Sequence, residues 1–94
     1  MALTRGSFGS YEFDRMVVLF SMVDGQREIP CAVSTSAMDD LEKAERIKPE
    51  QREAQFMRLR DRIEARAARK FNAMEFEGKP PGIILRSLDF TNDG

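Results

Sequence analysis

Val17-Val18-Leu19-Phe20-Ser21-Met22-Val23-Asp24-Gly25-Gln26-Arg27-Glu28-Ile29-Pro30-Cys31-Ala32-Val33-Ser34-Thr35-Ser36 is the stretch from which the fold is read. Two apolar strand patterns flank Asp24-Gly25, and a run of hydroxyl residues follows. Asp-Gly supplies the positive φ angles that a tight hairpin turn requires. In the outgoing strand Met16, Val18, Phe20 and Met22 face one way, and Val17, Leu19 and Ser21 the other. Both rows are largely apolar, which places this strand in the centre of a sheet. The return strand points Ile29, Cys31 and Val33 to one side and Glu28, Pro30 and Ala32 to the other. Pro30 has no N–H to give to a ladder, so it suits a sheet edge or a strand end. Ser34, Thr35 and Ser36 are all N-cap residues, and Asp39, Asp40 and Glu42 put negative charge where a helix dipole favours it.

Downstream, Met38, Leu41 and Ala44 or Glu45 give this first helix a narrow apolar stripe, and it should end near Ile47. Pro49 opens a second helix at a first-turn position, where its missing donor costs nothing. The pattern predicts helix from Pro49 to Ala73, with Phe56, Leu59, Ile63, Ala67, Phe71 and Met74 along one core-facing stripe. Gly78-Lys79-Pro80-Pro81-Gly82 cannot continue it. Ile83 to Leu88 then reads as a last strand. The expected fold is α+β, in the order ββααβ: a small antiparallel sheet of hairpin plus C-terminal strand, with two helices packed on one face. Residues 1–10 are Gly- and Ser-rich and expected to be flexible, with Phe8 as an anchor; 11–90 form the single domain and 91–94 a C-terminal tail.

Ninety-four residues bury only a thin core, and the composition, 41% hydrophobic and 33% charged, is that of a globular chain. Pairing between copies relieves a thin core, so a homo-oligomer, most simply a dimer, is expected. Cys31 has no second cysteine to pair with and reads as a small buried apolar residue. Neither a signal-peptide pattern nor a run near the ~18 apolar residues of a membrane span is present, so the expectation is a cytoplasmic protein without a membrane partner.

Charge is unevenly spread. Residues 1–47 carry a net −3, residues 48–70 a net +4 and residues 71–94 a net −2. The basic charge lies in the second helix, where Arg58, Arg62, Arg66 and Arg69 recur every three or four residues along one flank. These four are the candidate anion or partner contact. Such a stripe can track phosphates, contact an anionic protein, or stand as a solvated face with Arg58 paired to Asp61 and Arg60 to Glu64. Glu50, Glu53, Asp61 and Glu64 occupy the opposite flank, so two such helices packed antiparallel would set basic against acidic flanks in a twofold dimer. Arg60 lies at the edge of the apolar stripe, its head within reach of Glu64 or Asp89.

Catalytic and cofactor chemistry find little support. Histidine is absent, which removes the commonest general base and metal ligand. One cysteine and no histidine exclude a structural zinc site. Gly6-Ser7-Phe8-Gly9 has neither the spacing nor the lysine of a phosphate loop. Asp39, Asp40 and Glu42 complement a helix N-terminus rather than form a calcium loop. No cofactor is expected. The functional expectation is a non-enzymatic interaction or regulatory accessory domain that self-associates. The alternatives are a weak nucleic-acid binder using the arginine flank, and an enzyme or small-ligand protein with its site at a subunit interface.

The order Tyr11…Arg15-x-Val17…Phe20, Asp24-Gly25, Cys31-Ala32-Val33-Ser34, Phe56-x-x-x-Arg60-x-x-Ile63-x-x-x-Ala67-x-x-x-Phe71 and Leu85-Arg86-Ser87-Leu88-Asp89-Phe90 resembles the small bacterial family catalogued as domain of unknown function 1488. The resemblance runs from about residue 11 to 90 and departs at Tyr11 and Glu12, where members often carry tryptophan or aspartate. It implies a small cytoplasmic α+β domain in bacteria. The family has no assigned function, so it brings no catalytic residue with it.

Overall fold

A computed structural model describes residues 3–78 and 81–91. Strands β1 (Thr4–Glu12), β2 (Val17–Asp24) and β3 (Arg27–Ser34) lead into helix α1 (Thr35–Glu42). A 3₁₀ turn over Pro49–Gln51 then opens helix α2 (Arg52–Asn72), followed by strand β4 (Ile83–Leu85) and the one-turn helix α3 (Ser87–Phe90). The four strands form one sheet in the order β1-β2-β3-β4.

The hairpin closes at the Asp24↔Arg27 pair, which leaves Gly25 and Gln26 as its two turn residues. Gly25 has φ +65°, the positive value a type II′ turn needs at its first central position. Alternation then sorts the strands. Val18, Phe20, Met22, Ile29, Cys31, Val33, Ile83 and Leu85 point into one core with Ala37 and Met38 of α1, Phe56, Leu59, Ile63 and Ala67 of α2, and Phe90 of α3. The helices therefore cover a single face of the sheet. Pro30 sits one residue before the β4 pairing, which begins at Cys31, so its missing N–H interrupts nothing.

The observed architecture corrects several expectations. Of the segment 1–10, expected to be flexible, residues 1–2 lie outside the described residues and Thr4 onward forms the edge strand β1, antiparallel to β2 with two register irregularities between Arg5 and Ser10. Gly and Ser here serve bulges. A Cβ on Gly6 would lie 2.4 Å from the Ser21 carbonyl oxygen, and one on Gly9 2.8 Å from that of Leu19. The Ser7 N–H donates to Ser21 Oγ at 3.0 Å. Phe8 is the anchor, its ring 5.6 Å from that of Phe56.

The sheet is mixed, because β4 runs parallel to β3. Helix α1 is capped by the Ser34 hydroxyl, which accepts the Ala37 N–H at 3.1 Å. It stops at Glu42, short of the expected Ile47, where Lys43 turns left-handed at φ 53°. Eight residues span only ~12 Å, whereas the 21 of α2 span ~32 Å. One full-length crossing returns the chain to the end of the sheet where β3 began, so β4 must run alongside β3.

The last expected strand, Ile83 to Leu88, ends at Leu85. The Asp89 carboxylate accepts the Arg86 N–H at 2.7 Å and folds Ser87–Phe90 into a third helix instead of extended chain. Met74, expected on the core stripe, lies beyond α2 at φ 59° and is exposed. Of the expected tail, Thr91 caps α3 and residues 92–94 lie outside the described residues. None of the described helices is long and apolar enough to cross a membrane.

Replacing Gly6 with alanine should cost about 1–3 kcal/mol, because its Cβ meets the Ser21 carbonyl, which cannot move aside, as well as the Ser21 hydroxyl. Thermal denaturation should show a drop of several degrees; an unchanged melting temperature would mean that β1 does not hold this register.

Candidate functional site

Helix α2 carries a narrow apolar stripe, so its polar flanks lie half-buried against neighbouring elements and must find partners there. On the basic flank, Arg58 donates from Nε and Nη2 to the Glu42 carboxylate at 2.8 and 3.1 Å, tying α1 to α2. Arg66 donates from Nε to the Asp89 carbonyl oxygen at 2.6 Å. Lys70, almost fully buried, donates to the Ile84 carbonyl oxygen at 2.9 Å and lies 3.1 Å from the Asp89 carboxylate. Arg66 and Lys70 thus fasten α3 and β4 to α2. Arg62 is exposed, has no ion pair among the described residues, and lines a cleft with Asp40, Leu41, Lys43, Ser87 and Phe90. Arg69 is exposed on the same flank. The four candidate arginines do not converge on one cleft: Arg58 borders another, with Glu50, Glu53, Ala54 and Met57.

The opposite flank holds β1. Glu64, 9% exposed, accepts from Arg5 Nε and Arg60 Nε, each at 2.8 Å. Arg60 completes the link by donating from Nη2 to the Gly6 carbonyl oxygen at 3.2 Å, and its guanidinium sits 5.7 Å from the Phe56 ring centroid. The Arg60–Glu64 pair expected from the sequence is therefore present. Asp61, expected to meet Arg58, instead accepts from Arg5 Nη2 at 2.8 Å. Arg5 lay in the segment expected to be flexible, which is why this partner was missed.

At the start of α2, Arg52 Nη1 donates to Asp39 and to Gln55, each at 2.7 Å, and Gln55 donates to the same Asp39 oxygen at 2.9 Å. Tyr11 stacks over the guanidinium at 5.9 Å, while Arg52 Nε is buried without a hydrogen-bond partner. Burial pushes the Asp39 carboxyl up, but hydrogen bonds from Arg52 and Gln55 outweigh it and hold the group below the ordinary carboxylate range. Hydrogen bonding from Arg58 lowers Glu42 likewise. Asp39 and Glu42 are thus engaged by arginines, and among the described residues no group of three or more Cys, Asp or Glu is placed to hold a metal ion. Burial pushes the Cys31 thiol up to about 12, so it is protonated at neutral pH.

Among the described residues, no helix packs on the other side of the sheet. Val17, Leu19, Pro30, Ala32 and Ile84 alternate with the core residues and so face this side. At its margins Leu88 is 78% and Met16 55% exposed. Arg15, Leu19, Pro30, Ala32, Gly82 and Ile84 line a cleft of about 190 Å³. A second, of about 380 Å³, lies where β3 and β4 begin, between Glu28, Pro30, Phe76 and Pro81. The two apolar rows of β2 are the signal that could have revealed this surface, since helices on one face can cover only one row.

The profile of the family described as "Protein of unknown function (DUF1488)" matches residues 7–84, and the chain belongs to that family. No curated protein matches the sequence. Among solved structures, the chain is similar to a crystal structure of a protein of unknown function from the DUF1488 family of Shewanella loihica PV-4. The TM-score is 0.74 at 16% identity, over 90% of this chain and 93% of that one. At that identity the likeness concerns the fold.

Two results should follow from the ion-pair network. Asp39, Glu42 and Glu77 all lie below the ordinary carboxylate range, each held there chiefly by an arginine. Lowered folded-state values contribute stability that is fully present above the unfolded value, about 4, and is lost as pH falls through the folded one. Urea midpoints measured from pH 7 to 3 should be flat at first and then decline, and Glu42→Gln should flatten that decline; an identical slope would deny the Glu42–Arg58 pair any part in it. Arg52→Met should cost about 1–3 kcal/mol by removing the cation paired with Asp39 and the donor to the buried Gln55 Oε1, the Gln55–Asp39 bond remaining, read from the same urea midpoints at pH 7.

Proposed function

We propose that this DUF1488 member is a non-enzymatic interaction domain that self-associates through the sheet face its helices leave uncovered. The observation that carries this reading is the sidedness of the fold. Among the described residues the three helices pack against one face, while Val17, Leu19, Pro30 and Ile84 lie partly or fully exposed around the buried Ala32 on the other, with the exposed Leu88 beside them. An apolar patch rimmed by charge marks an interaction surface.

A second copy is the occupant that the charges favour. Arg15 stands at the end of the face where β2 begins, and Glu28 at the end where β3 begins, so the surface carries its own electrostatic complement. Such a surface suits an isologous twofold contact. The flanks of α2 are poorer material for a helix-to-helix dimer, because Arg58, Arg66, Asp61 and Glu64 already have partners within the chain. The same engagement of Arg58 and Arg66 weakens the nucleic-acid alternative. The non-enzymatic part is supported by Cys31, which is protonated at neutral pH, and by Asp39, Glu42 and Glu77, which arginines hold ionised.

Magnitude decides how tight the association is. Four strands ~4.8 Å apart and about seven residues long give roughly 450 Å² per protomer. A standard interface buries about 800 Å² per partner, so this contact falls in the small, weakly associating class. Sedimentation velocity from about 10 μM to 1 mM should show the average mass rising from monomer towards dimer. A monomer at every concentration would overturn the proposal.

A further inference from the structure

We infer that the two copies stack with their sheets antiparallel, about a twofold axis that lies in the interface plane and runs across the strands. This operator, which rests on the self-association proposed above, seats Leu88 of each protomer in the partner's cleft between Pro30, Phe76 and Pro81, and sets Arg15 over Glu28.

The strand directions lead to this arrangement. β2 is antiparallel to β3, and β4 is parallel to β3. The start of β2 and the ends of β3 and β4 therefore share one margin, which carries Arg15, Ser34 and Leu88. The end of β2 and the starts of β3 and β4 share the other, which carries Glu28 and the cleft of about 380 Å³. An axis across the strands exchanges the two margins and keeps each strand over its own counterpart. Leu88 follows β4, and the cleft with Pro81 precedes it, so the exchange brings knob and hole together. It also brings together Arg15, which leads into β2, and Glu28, whose β3 position pairs with Val23 of β2. Strand neighbours are only ~4.8 Å apart, within side-chain reach.

Both charges are available for that contact. The Arg15 side chain is 60% exposed, and its ion pair with Glu12 is long, at 3.7 Å, and exposed on both sides, so the guanidinium can reach a partner copy at little cost. Glu28 is exposed and has no ion pair among the described residues, since Arg27 turns to Asp24. The competing axis, along the strands, would keep each margin facing itself. Arg15 would then face the partner's Arg15-bearing margin and not Glu28, Arg86 there being already tied to Glu77, and Leu88 would lie over the polar β1 side. Like charges disfavour that stacking.

The experiment is a charge reversal with rescue, read as the dimer dissociation constant by sedimentation equilibrium. Leu88→Glu, Arg15→Glu and Glu28→Arg alter exposed side chains, and circular dichroism should report an intact fold for each. Every single variant should weaken the dimer about tenfold or more, whereas the double variant Arg15→Glu/Glu28→Arg should return to within about threefold of wild type. A wild-type dimer that none of the single variants weakens would overturn this stacking and leave self-association standing. Single reversals that weaken the dimer without recovery in the double variant would overturn the Arg15–Glu28 contact. A wild-type protein that stays monomeric removes the stacking and the self-association together.

Discussion

The constraint on which the rest of this structure depends is the narrowness of the apolar stripe on α2. Phe56, Leu59, Ile63 and Ala67 are all that this 21-residue helix places deep in the core. Helix and sheet nevertheless press together over a wider band, so polar residues beside the stripe are taken out of water: Arg52, Gln55, Glu64 and Lys70 are all buried. A buried charge without a partner costs more than the fold can supply. Every one of these groups accordingly meets an atom from another element, in β1, α1, β4 or α3.

The two kinds of interaction do different work. Burying a large apolar side chain contributes about 1.5–3 kcal/mol, and the core stripe supplies most of what holds α2 to the sheet. Exposed ion pairs of this kind are worth less, about 0.2–1 kcal/mol each. Their value is positional. Glu64 holds Arg5 and so the edge strand; Asp39 holds Arg52 and so the entry to α2; Asp89 holds Arg66 and Lys70 and so the last helix. Of the arginines that line up on a helical wheel, Arg58 and Arg66 are, in three dimensions, ties between that helix and its neighbours.

The same one-sidedness gives the surface on which function is proposed. With the three helices on one face, no described helix covers the second apolar row of β2. A small chain with a thin core does not have enough elements to cover both faces of a four-stranded sheet. What is left exposed is flat, apolar at its centre and oppositely charged at its ends.

Local relations were legible in the sequence. The Asp24-Gly25 hairpin, the Ser34 cap, the α2 stripe, the buried Cys31 and the Arg60–Glu64 pair all follow from residues within a few positions of one another, where 2.0 and 3.6 periodicities and turn chemistry suffice. Relations across the chain were not. Gly6 and Gly9 look like loop residues until Ser21 and Leu19 stand opposite them as bulge partners. Ile83 to Leu85 carries no mark of its direction, which the length of α2 imposed. Arg5 meets Glu64 across 59 positions, and Arg66 meets Asp89 across 23. Residues close together in the chain were enough to place the hairpin, helices α1 and α2 and their apolar faces, but not β1 or α3, whose partners lie farther along the chain or in packing. The tertiary structure alone decided which arginines are engaged and which sheet face stays open, because charge pairing and coverage depend on what packing brings within a few ångströms.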